Sequence, residues 1–194
     1  MNEPKKLLKK VVDALEGAGI DYMVSGSLGS SYHGLPRATN DVDIVISATE
    51  TQLETFARSL GDDYYISPNA MREALKNCSM FNVIDNLTGG KADLVIRKQR
   101  AFSIEEFQRR RKADFMDLDV WMLSPEDAIL SKLEWTGGEV GRRQFEDAVG
   151  VAVVQFDKLD FGYLKKWAKE LKIEVLLEQL LEQAKKLKEE QSTN

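Results

Sequence analysis

The sequence has few of the residues that build disulfides, thiolate clusters and membrane spans. Among 194 residues there is one cysteine, Cys78, so neither an internal disulfide nor a cysteine zinc cluster can form. We interpret Cys78 as a buried thiol in a predicted strand, without a catalytic role. No apolar run approaches the roughly 20 residues of a membrane span, and the N-terminal segment predicts an amphipathic helix rather than a secretion signal. We therefore expect a cytoplasmic protein with no membrane partner.

The sequence also has no overall excess of positive charge. The net charge of −5 argues against a general nucleic-acid coat protein, because phosphate binding is driven by surplus Lys and Arg. Between Arg97 and Lys112, however, seven basic residues face two acids. Two interpretations of this basic segment stay open: a solvated helix opened by Ser103 with Glu106 as its capping box, or a surface facing RNA or triphosphate. The only histidine, His33, is expected to pack rather than to catalyse.

Hydrophobic periodicity predicts an α/β (α+β) protein. Helices are predicted at 4–17, 49–60, 68–77, 160–171 and 173–188. Strands are predicted at 20–25, 41–47, 78–85, 91–97 and 120–123. We expect a small mixed β-sheet flanked by helices in residues 1–123, followed by a C-terminal helical region in residues 124–194 whose last six residues fray.

Two acidic side chains interrupt the predicted strand at 41–47. Asp41 and Asp43 are two residues apart, so both point to the same face of the strand. At roughly 6 to 7 Å and an effective dielectric near 20, two bare carboxylates repel by about 2 to 3 kcal/mol. A divalent cation reverses that sign, and Mg²⁺ accepts a few carboxylates while keeping water and phosphate oxygens. The pair therefore suits a nucleoside triphosphate (NTP) carried as its Mg²⁺ or Mn²⁺ complex.

A turn of small residues precedes the acidic pair. Gly26 and Ser27 lead from a predicted buried strand into a short predicted helix. Glycine allows the backbone to approach an anion closely, and the N–H groups at the helix start, with the Ser27 hydroxyl, can hold a phosphate. Strand, turn, helix and acid-bearing strand thus form one compact unit.

This unit resembles the nucleotidyltransferase superfamily related to DNA polymerase beta, in which Gly-Gly or Gly-Ser is followed, after a short helix, by Asp-x-Asp on the next strand. Here 13 residues separate Ser27 from Asp41. The approach to the acidic pair, with Arg37 and Thr39, is similar more narrowly to AbiEii-type and related minimal nucleotidyltransferases, where Arg-x-Thr precedes the acids. The resemblance implies that Arg37 and Thr39 contribute to nucleotide binding.

The resemblance also implies a third carboxylate on a neighbouring strand. Asp93 is the best match, because it is the acidic residue among aliphatic neighbours in the predicted strand 91–97, where a charge is costly unless paired or coordinated. Three such carboxylates could hold two metal ions, one for the triphosphate and one that lowers the pKa of the acceptor hydroxyl. Singly, Asp41 could instead be a strand-start residue, Asp43 an edge-strand surface residue and Asp93 a hairpin residue.

The helical region contributes two further candidates. Lys132 lies among apolar neighbours in a Lys-Leu pair, which AbiEii-like proteins share. In those proteins Arg-x-x-Lys-Asp-x-x-Asp follows; here Asp147 has the spacing of the last acid, while Gln144 and Phe145 replace Lys-Asp. The resemblance implies that Lys132 neutralises phosphate charge in the transition state and that Asp147 orients Lys132 or the acceptor. An ordinary surface lysine is the alternative for Lys132.

These features predict a metal-dependent enzyme that transfers a nucleoside monophosphate from an NTP to an acceptor hydroxyl with release of pyrophosphate. Its catalytic candidates are Asp41, Asp43, Asp93, Lys132 and Asp147. RNA or tRNA, a protein or a small molecule could be the acceptor, and the enzyme could be a toxin paired with an antitoxin partner. An inactive nucleotide-binding or partner-binding module of the same fold is the alternative, against which the complete acidic triad argues. Oligomeric state is not predicted.

Overall fold

The computed structural model describes residues 3–39, 41–136 and 141–192, which divide into two compact units. The first unit is drawn from residues 1–28 and 38–123, and the second from residues 29–37 and 124–194. The second unit is therefore assembled from two separate stretches of chain. In the part of the chain described, no helix is long and apolar enough to cross a membrane.

A mixed β-sheet of seven described strands forms the centre of the first unit. The strands are β1 (Asp21–Val24), β2 (Asp41–Ser47), β3 (Tyr64–Tyr65), β4 (Met80–Asp85), β5 (Lys91–Ile96), β6 (Arg111–Asp114) and β7 (Asp119–Met122). The helices in this stretch of sequence are α1 (Glu3–Gly17), α2 (Gly26–His33), α3 (Glu50–Leu60), α4 (Pro68–Asn77) and α5 (Ala101–Gln108). The strands lie in the order β3-β4-β5-β2-β1-β7-β6.

One face of this sheet packs against helices and forms a hydrophobic core with them. Helix α1 packs on β2 and β5, and α4 packs on β4. The core-facing residues of β2 are Val42, Ile44 and Ile46, all fully buried. Because side chains alternate along a strand, the residues between them belong to the other face, which is only half-buried or exposed. The acidic residues of β2 therefore lie on the face opposite the core.

Strand register aligns polar residues on that opposite face. β2 and β5 are parallel, and Asp43 lies directly beside Asp93 while Asp41 lies beside Lys91. β4 runs antiparallel along the other side of β5, with Asn82 beside Asp93. Residues paired in register share a face of the sheet. A polar patch therefore extends across three adjacent strands.

The second unit is helical. Its helices are α6 (Pro125–Glu134), α7 (Gly141–Gln155), α8 (Phe161–Leu171) and α9 (Glu174–Ser192). At the start of α6 the Ser124 hydroxyl accepts from the Asp127 backbone N–H at 3.2 Å and donates to the Asp127 carboxylate at 2.6 Å. The Tyr163 hydroxyl donates to the other Asp127 oxygen at 2.6 Å. Both oxygens of the fully buried Asp127 carboxylate therefore accept a hydrogen bond, and the bond from Tyr163 links α6 to α8.

The predicted fold class is confirmed, but three local predictions are wrong. Helix α5 begins at Ala101 rather than at Ser103, and its N-cap residue Arg100 makes no side-chain capping bond. Cys78 is half-buried and lies outside a strand, as the left-handed C-cap of α4 with φ of 48°. Helix α9 continues to Ser192 instead of fraying after Lys188.

The basic segment is not a single helix. Helix α5 ends at Gln108, and β6 begins at Arg111 and pairs antiparallel with β7. Local periodicity could not reveal this strand, because three charged residues and an alanine become a strand only when a neighbouring edge offers hydrogen-bonding partners.

Candidate active site

The start of α2 lies against Asp43. The Ser25 backbone N–H donates to the Asp43 carbonyl oxygen at 2.9 Å. Gly26 follows with a left-handed φ of 56°, and a Cβ at this position would lie 2.0 Å from the Asp43 carboxylate oxygen. Both the backbone conformation and the space available therefore require glycine. Ser27 is the next residue of the helix.

Asp93 has hydrogen-bond partners at both of its carboxylate oxygens. The Asn82 side-chain amide donates to one oxygen, and the Lys91 ammonium donates to the other at 3.1 Å. The Asp93 side chain is 13% exposed and that of Lys91 is 43% exposed. The hydrogen bond to Asp93 raises the pKa of Lys91, and the negative charges of Asp93, Asp41 and Asp43 raise it further.

Asp41 is the most exposed of the three acids. It is the first residue of β2, and its backbone N–H donates to the Thr39 hydroxyl at 3.3 Å. Thr39 therefore helps to define where β2 begins. We call Asp41, Asp43 and Asp93 the carboxylate cluster.

The donor set of the carboxylate cluster fits Mg²⁺ or Mn²⁺. Carboxylate oxygens are the hard ligands that these cations prefer, and Asp43 and Asp93 occupy paired positions on strands that lie about 4.8 Å apart. No group of three or more His, Cys, Asp or Glu side chains within the described ranges is already gathered as a metal site. Both carboxylate oxygens of Asp93 are hydrogen-bonded, to Asn82 and to Lys91.

A second group of charges lies within the helical unit. The Arg37 guanidinium binds both oxygens of Asp147, with Nε to Oδ1 at 2.8 Å and Nη2 to Oδ2 at 3.1 Å. The Lys132 ammonium donates to Asp147 Oδ2 at 2.8 Å. The side chains of Lys132 and Asp147 are 8% and 9% exposed. We call these three residues the cation cluster, because its two cations outnumber its single anion.

The electrostatics of the cation cluster favour an ionised Asp147. Burial raises the pKa of Asp147, but the hydrogen bonds and charges of Arg37 and Lys132 outweigh burial and lower it below its usual value. Lys132 is a buried, paired lysine, so the interpretation as an ordinary surface lysine is wrong.

Comparison with known proteins identifies the fold. No protein-family model and no curated protein matches the chain. An antigenic nucleotidyltransferase-like protein from Paracoccidioides brasiliensis aligns with a TM-score of 0.56 and 16% identity over 93% of this chain and 92% of that one. The chain has the nucleotidyltransferase fold. Lincosamide antibiotic adenylyltransferase LnuA, solved with lincomycin bound, aligns at a TM-score of 0.51 and 15% identity over 78% of this chain and 98% of its own.

A third structure with the nucleotidyltransferase fold is the antibiotic-resistance factor ANT(2'')-Ia. It aligns with a TM-score of 0.51 and 12% identity over 97% of both chains. These alignments extend over most of each chain, so the likeness includes the helical region as well as the sheet.

Within this nucleotidyltransferase fold the predicted site residues fall into two groups. Around β2 the first unit holds Asp41, Asp43, Asp93, Gly26, Ser27 and Thr39, and the second unit holds Arg37, Lys132 and Asp147. In the first group Asp43 and Asp93 are register partners and Gly26 lies against Asp43. In the second, Arg37 and Lys132 both bind Asp147.

Asn82 and Lys91 were not predicted as part of the site. Both lie on the half-buried face of their strands. Lys91 precedes Asp93 by two residues on β5, and Asn82 lies beside Asp93 on β4. The sequence does contain a signal for them: both are polar, and the alternation of side chains along a strand places both on the same face as the acids. That signal becomes specific only when the β4–β5 register is known.

The basic segment is partly structural. Arg110 pairs with Asp21 at 2.9 Å, and its guanidinium lies over the Phe107 and Trp121 rings at 4.3 and 5.1 Å. Arg111 and Lys112 are exposed on β6, an edge strand. Any interaction of this segment with RNA therefore depends more on these two residues than on Arg110.

Proposed function

We propose that the protein is a nucleotidyltransferase that transfers a nucleoside monophosphate from an NTP to an acceptor hydroxyl, with Mg²⁺ or Mn²⁺ and release of pyrophosphate. One observation carries this proposal: parallel register places Asp43 beside Asp93, and the glycine-led start of α2 approaches the same Asp43 carboxylate. Carboxylates and helix N–H groups side by side offer complementary contacts to a metal and to the phosphates it carries.

In this proposal the carboxylate cluster holds the metal and receives the proton. Asp41 and Asp43 bind the metal, which when bound neutralises charge on the triphosphate oxygens. The acceptor oxygen bonds to the α-phosphorus, the bond to the pyrophosphate oxygen breaks, and pyrophosphate leaves with that electron pair. Asp93 would accept the hydroxyl proton, or would hold a second metal, in which case the proton would pass to solvent water. Gly26 and Ser27 bind phosphate oxygens through the first turn of α2.

The cation cluster is the proposed source of positive charge for the departing pyrophosphate. Lys132 and Arg37 carry that charge, and Asp147 is a positioning residue that fixes both cations through three hydrogen bonds. Pre-arranged charges stabilise a transition state without reorganising during the reaction. Thr39 supports nucleotide binding by defining the start of β2.

Two classes of acceptor are proposed. A small-molecule hydroxyl is supported by the likeness in fold to LnuA, an antibiotic adenylyltransferase, and to the resistance factor ANT(2'')-Ia. RNA is the second candidate, and it is supported by Arg111 and Lys112 exposed at the sheet edge. With RNA or tRNA as acceptor, the protein would act as an AbiEii-type toxin controlled by an antitoxin partner.

Label transfer tests both parts of the proposal. The protein is incubated with each α-³²P-labelled NTP, Mg²⁺ or Mn²⁺, and either total cell RNA or a small-molecule metabolite extract. We expect label in one acceptor fraction, and a loss on the order of 10³-fold in Asp43→Asn, because the metal ligand is removed. The matched control is Asp63→Asn, which changes an exposed carboxylate of the same unit and should transfer label normally.

Two results would contradict the proposal. Equal transfer by wild type and Asp43→Asn would remove the carboxylate cluster from the chemistry. Binding of an NTP without transfer to any fraction would favour the inactive nucleotide-binding module of the same fold.

A further inference from the structure

We propose that Lys91 is a built-in counter-cation of the carboxylate cluster, which competes with a free divalent cation for Asp93 and favours a metal that arrives bound to nucleotide. This inference rests on the metal-dependent function proposed above. It concerns a residue to which neither the motif nor the resemblance assigns a role.

The geometry places Lys91 inside the cluster rather than beside it. Lys91 is the register partner of Asp41 across the parallel β2–β5 pair. It precedes Asp93 by two residues on the same strand, so both side chains lie on the face of the acids. Its ammonium lies 3.1 Å from Asp93 Oδ2, while the Asn82 amide holds the other oxygen.

The ammonium and a metal ion compete for this oxygen. Mg²⁺ coordinates oxygen at about 2.0 to 2.1 Å, and a lysine hydrogen-bonded to the same atom would lie within a few ångström of that ion. Like charges so close repel strongly in a half-buried site. A metal that binds Asp93 Oδ2 therefore favours displacement of the Lys91 ammonium.

Lys91 is able to move away. Its side chain is 43% exposed, and its ammonium is carried by a flexible four-carbon stem. A free divalent cation is attracted by the carboxylates. Its binding, however, breaks the Lys91–Asp93 ion pair and leaves the Lys91 ammonium close to a second positive charge. A metal–nucleotide complex brings a triphosphate with several negative oxygens, which the displaced ammonium can bind. The same lysine therefore weakens binding of the free metal and strengthens binding of the metal–nucleotide complex.

The test measures the two affinities separately. Protein stripped with EDTA is titrated with Mn²⁺ alone, and bound Mn²⁺ is followed by electron paramagnetic resonance. A second titration uses Mn²⁺ with each α,β-methylene NTP, and the analogue that wild type binds most tightly is kept. In Lys91→Gln we expect Mn²⁺ alone to bind on the order of tenfold more tightly and Mn²⁺–analogue on the order of tenfold more weakly.

Three further variants make the result specific. Lys91→Arg keeps the positive charge and should restore both affinities to within about threefold of wild type. Lys76→Gln changes an exposed lysine of α4 in the same unit and should alter neither. Asp43→Asn should abolish Mn²⁺ binding. A thermal melt of each variant in EDTA shows that it is folded.

Opposite shifts in the two affinities support the proposal, because damage to the site would weaken both. Unchanged or weaker binding of free Mn²⁺ by Lys91→Gln overturns it, while Asp43-dependent binding by wild type leaves the proposed function standing. If neither wild type nor Lys91→Gln binds Mn²⁺, both proposals fail.

Discussion

The carboxylate cluster and the cation cluster are assembled in opposite ways. In the first, strand register places Asp41, Asp43 and Asp93 on adjacent strands, and the backbone fixes like charges near one another. In the second, side chains from a loop and from two helices meet, and Asp147 lies between two cations. The first arrangement contains repulsion that a bound cation would relieve, whereas the second is held together by its own attraction. Removing the Asp41 carboxylate and removing the Asp147 carboxylate should therefore have opposite effects on stability.

The largest effect is expected at Asp147. Asp147→Asn leaves the buried Lys132 and the partly buried Arg37 without their carboxylate, and breaking a buried ion pair costs about 3 kcal/mol or more. We expect the free energy of unfolding to fall by about 3 kcal/mol, measured by urea denaturation. Glu146→Gln is the matched control on the same helix, because Glu146 pairs with Arg142 at an exposed site and should cost under about 1 kcal/mol.

The pH dependence of this effect has a defined sign. The hydrogen bonds and charges of Arg37 and Lys132 hold the pKa of Asp147 in the folded protein below its ordinary value, so the ionised form stabilises the fold fully above that ordinary value. As pH falls through the lowered pKa this contribution is lost, and the stabilities of wild type and Asp147→Asn should converge. A difference that stays constant down to pH 2 would show that charge is not the cause.

An intermediate effect is expected at Gly26, where the backbone approaches the carboxylate cluster. Gly26→Ala places a Cβ 2.0 Å from the Asp43 carboxylate at a positive φ, and we expect a loss of about 2 kcal/mol. Gly89→Ala is the control, because Gly89 also has a positive φ, of 72°, but an added Cβ would meet nothing within 4 Å.

A double-mutant cycle with Asp43→Gly separates the clash from the backbone strain at Gly26. The penalty of Gly26→Ala should shrink to about that of Gly89→Ala when the Asp43 side chain is absent. If Gly26→Ala lowers the free energy of unfolding equally with and without the Asp43 side chain, the clash with that carboxylate is not the cause.

The smallest effect, with the opposite sign, is expected at Asp41. In EDTA, Asp41→Asn removes one of three negative charges that share the single cation Lys91. The free energy of unfolding should therefore rise by a few tenths of a kcal/mol, the range for exposed charges. Urea denaturation at low ionic strength measures this, since salt screens the repulsion. A loss above about 1 kcal/mol would mean that Asp41 is held by attraction, as Asp147 is, and the contrast between the clusters would disappear.

The sequence predicted best what depends on local spacing. Asp41 and Asp43 share a face because they are two residues apart, and the start of α2 follows from the Gly26-Ser27 pair. The contacts of Asp93 with Asn82 and Lys91 were not predicted, because they depend on the exact register of the β4–β5 hairpin. One residue of register shift would have moved Asn82 to the other face.

Contacts between distant segments were the hardest to predict. The spacing of Lys132 and Asp147 on successive helices was noticed, but the buried bridge to Arg37 is a tertiary contact that no periodicity contains. The edge strand β6 was missed for the same reason, since its polar residues are ordered by pairing with β7 rather than by their own propensity.

The ion pair between Arg37 and Asp147 also bears on how the chain is synthesised. The two residues are 110 positions apart, so Arg37 leaves the ribosome many seconds before its partner at typical rates of about 5 to 20 residues per second. Contacts of such long sequence separation slow folding. The Arg37–Asp147 pair therefore cannot form until the whole first unit and the start of α7 have been synthesised.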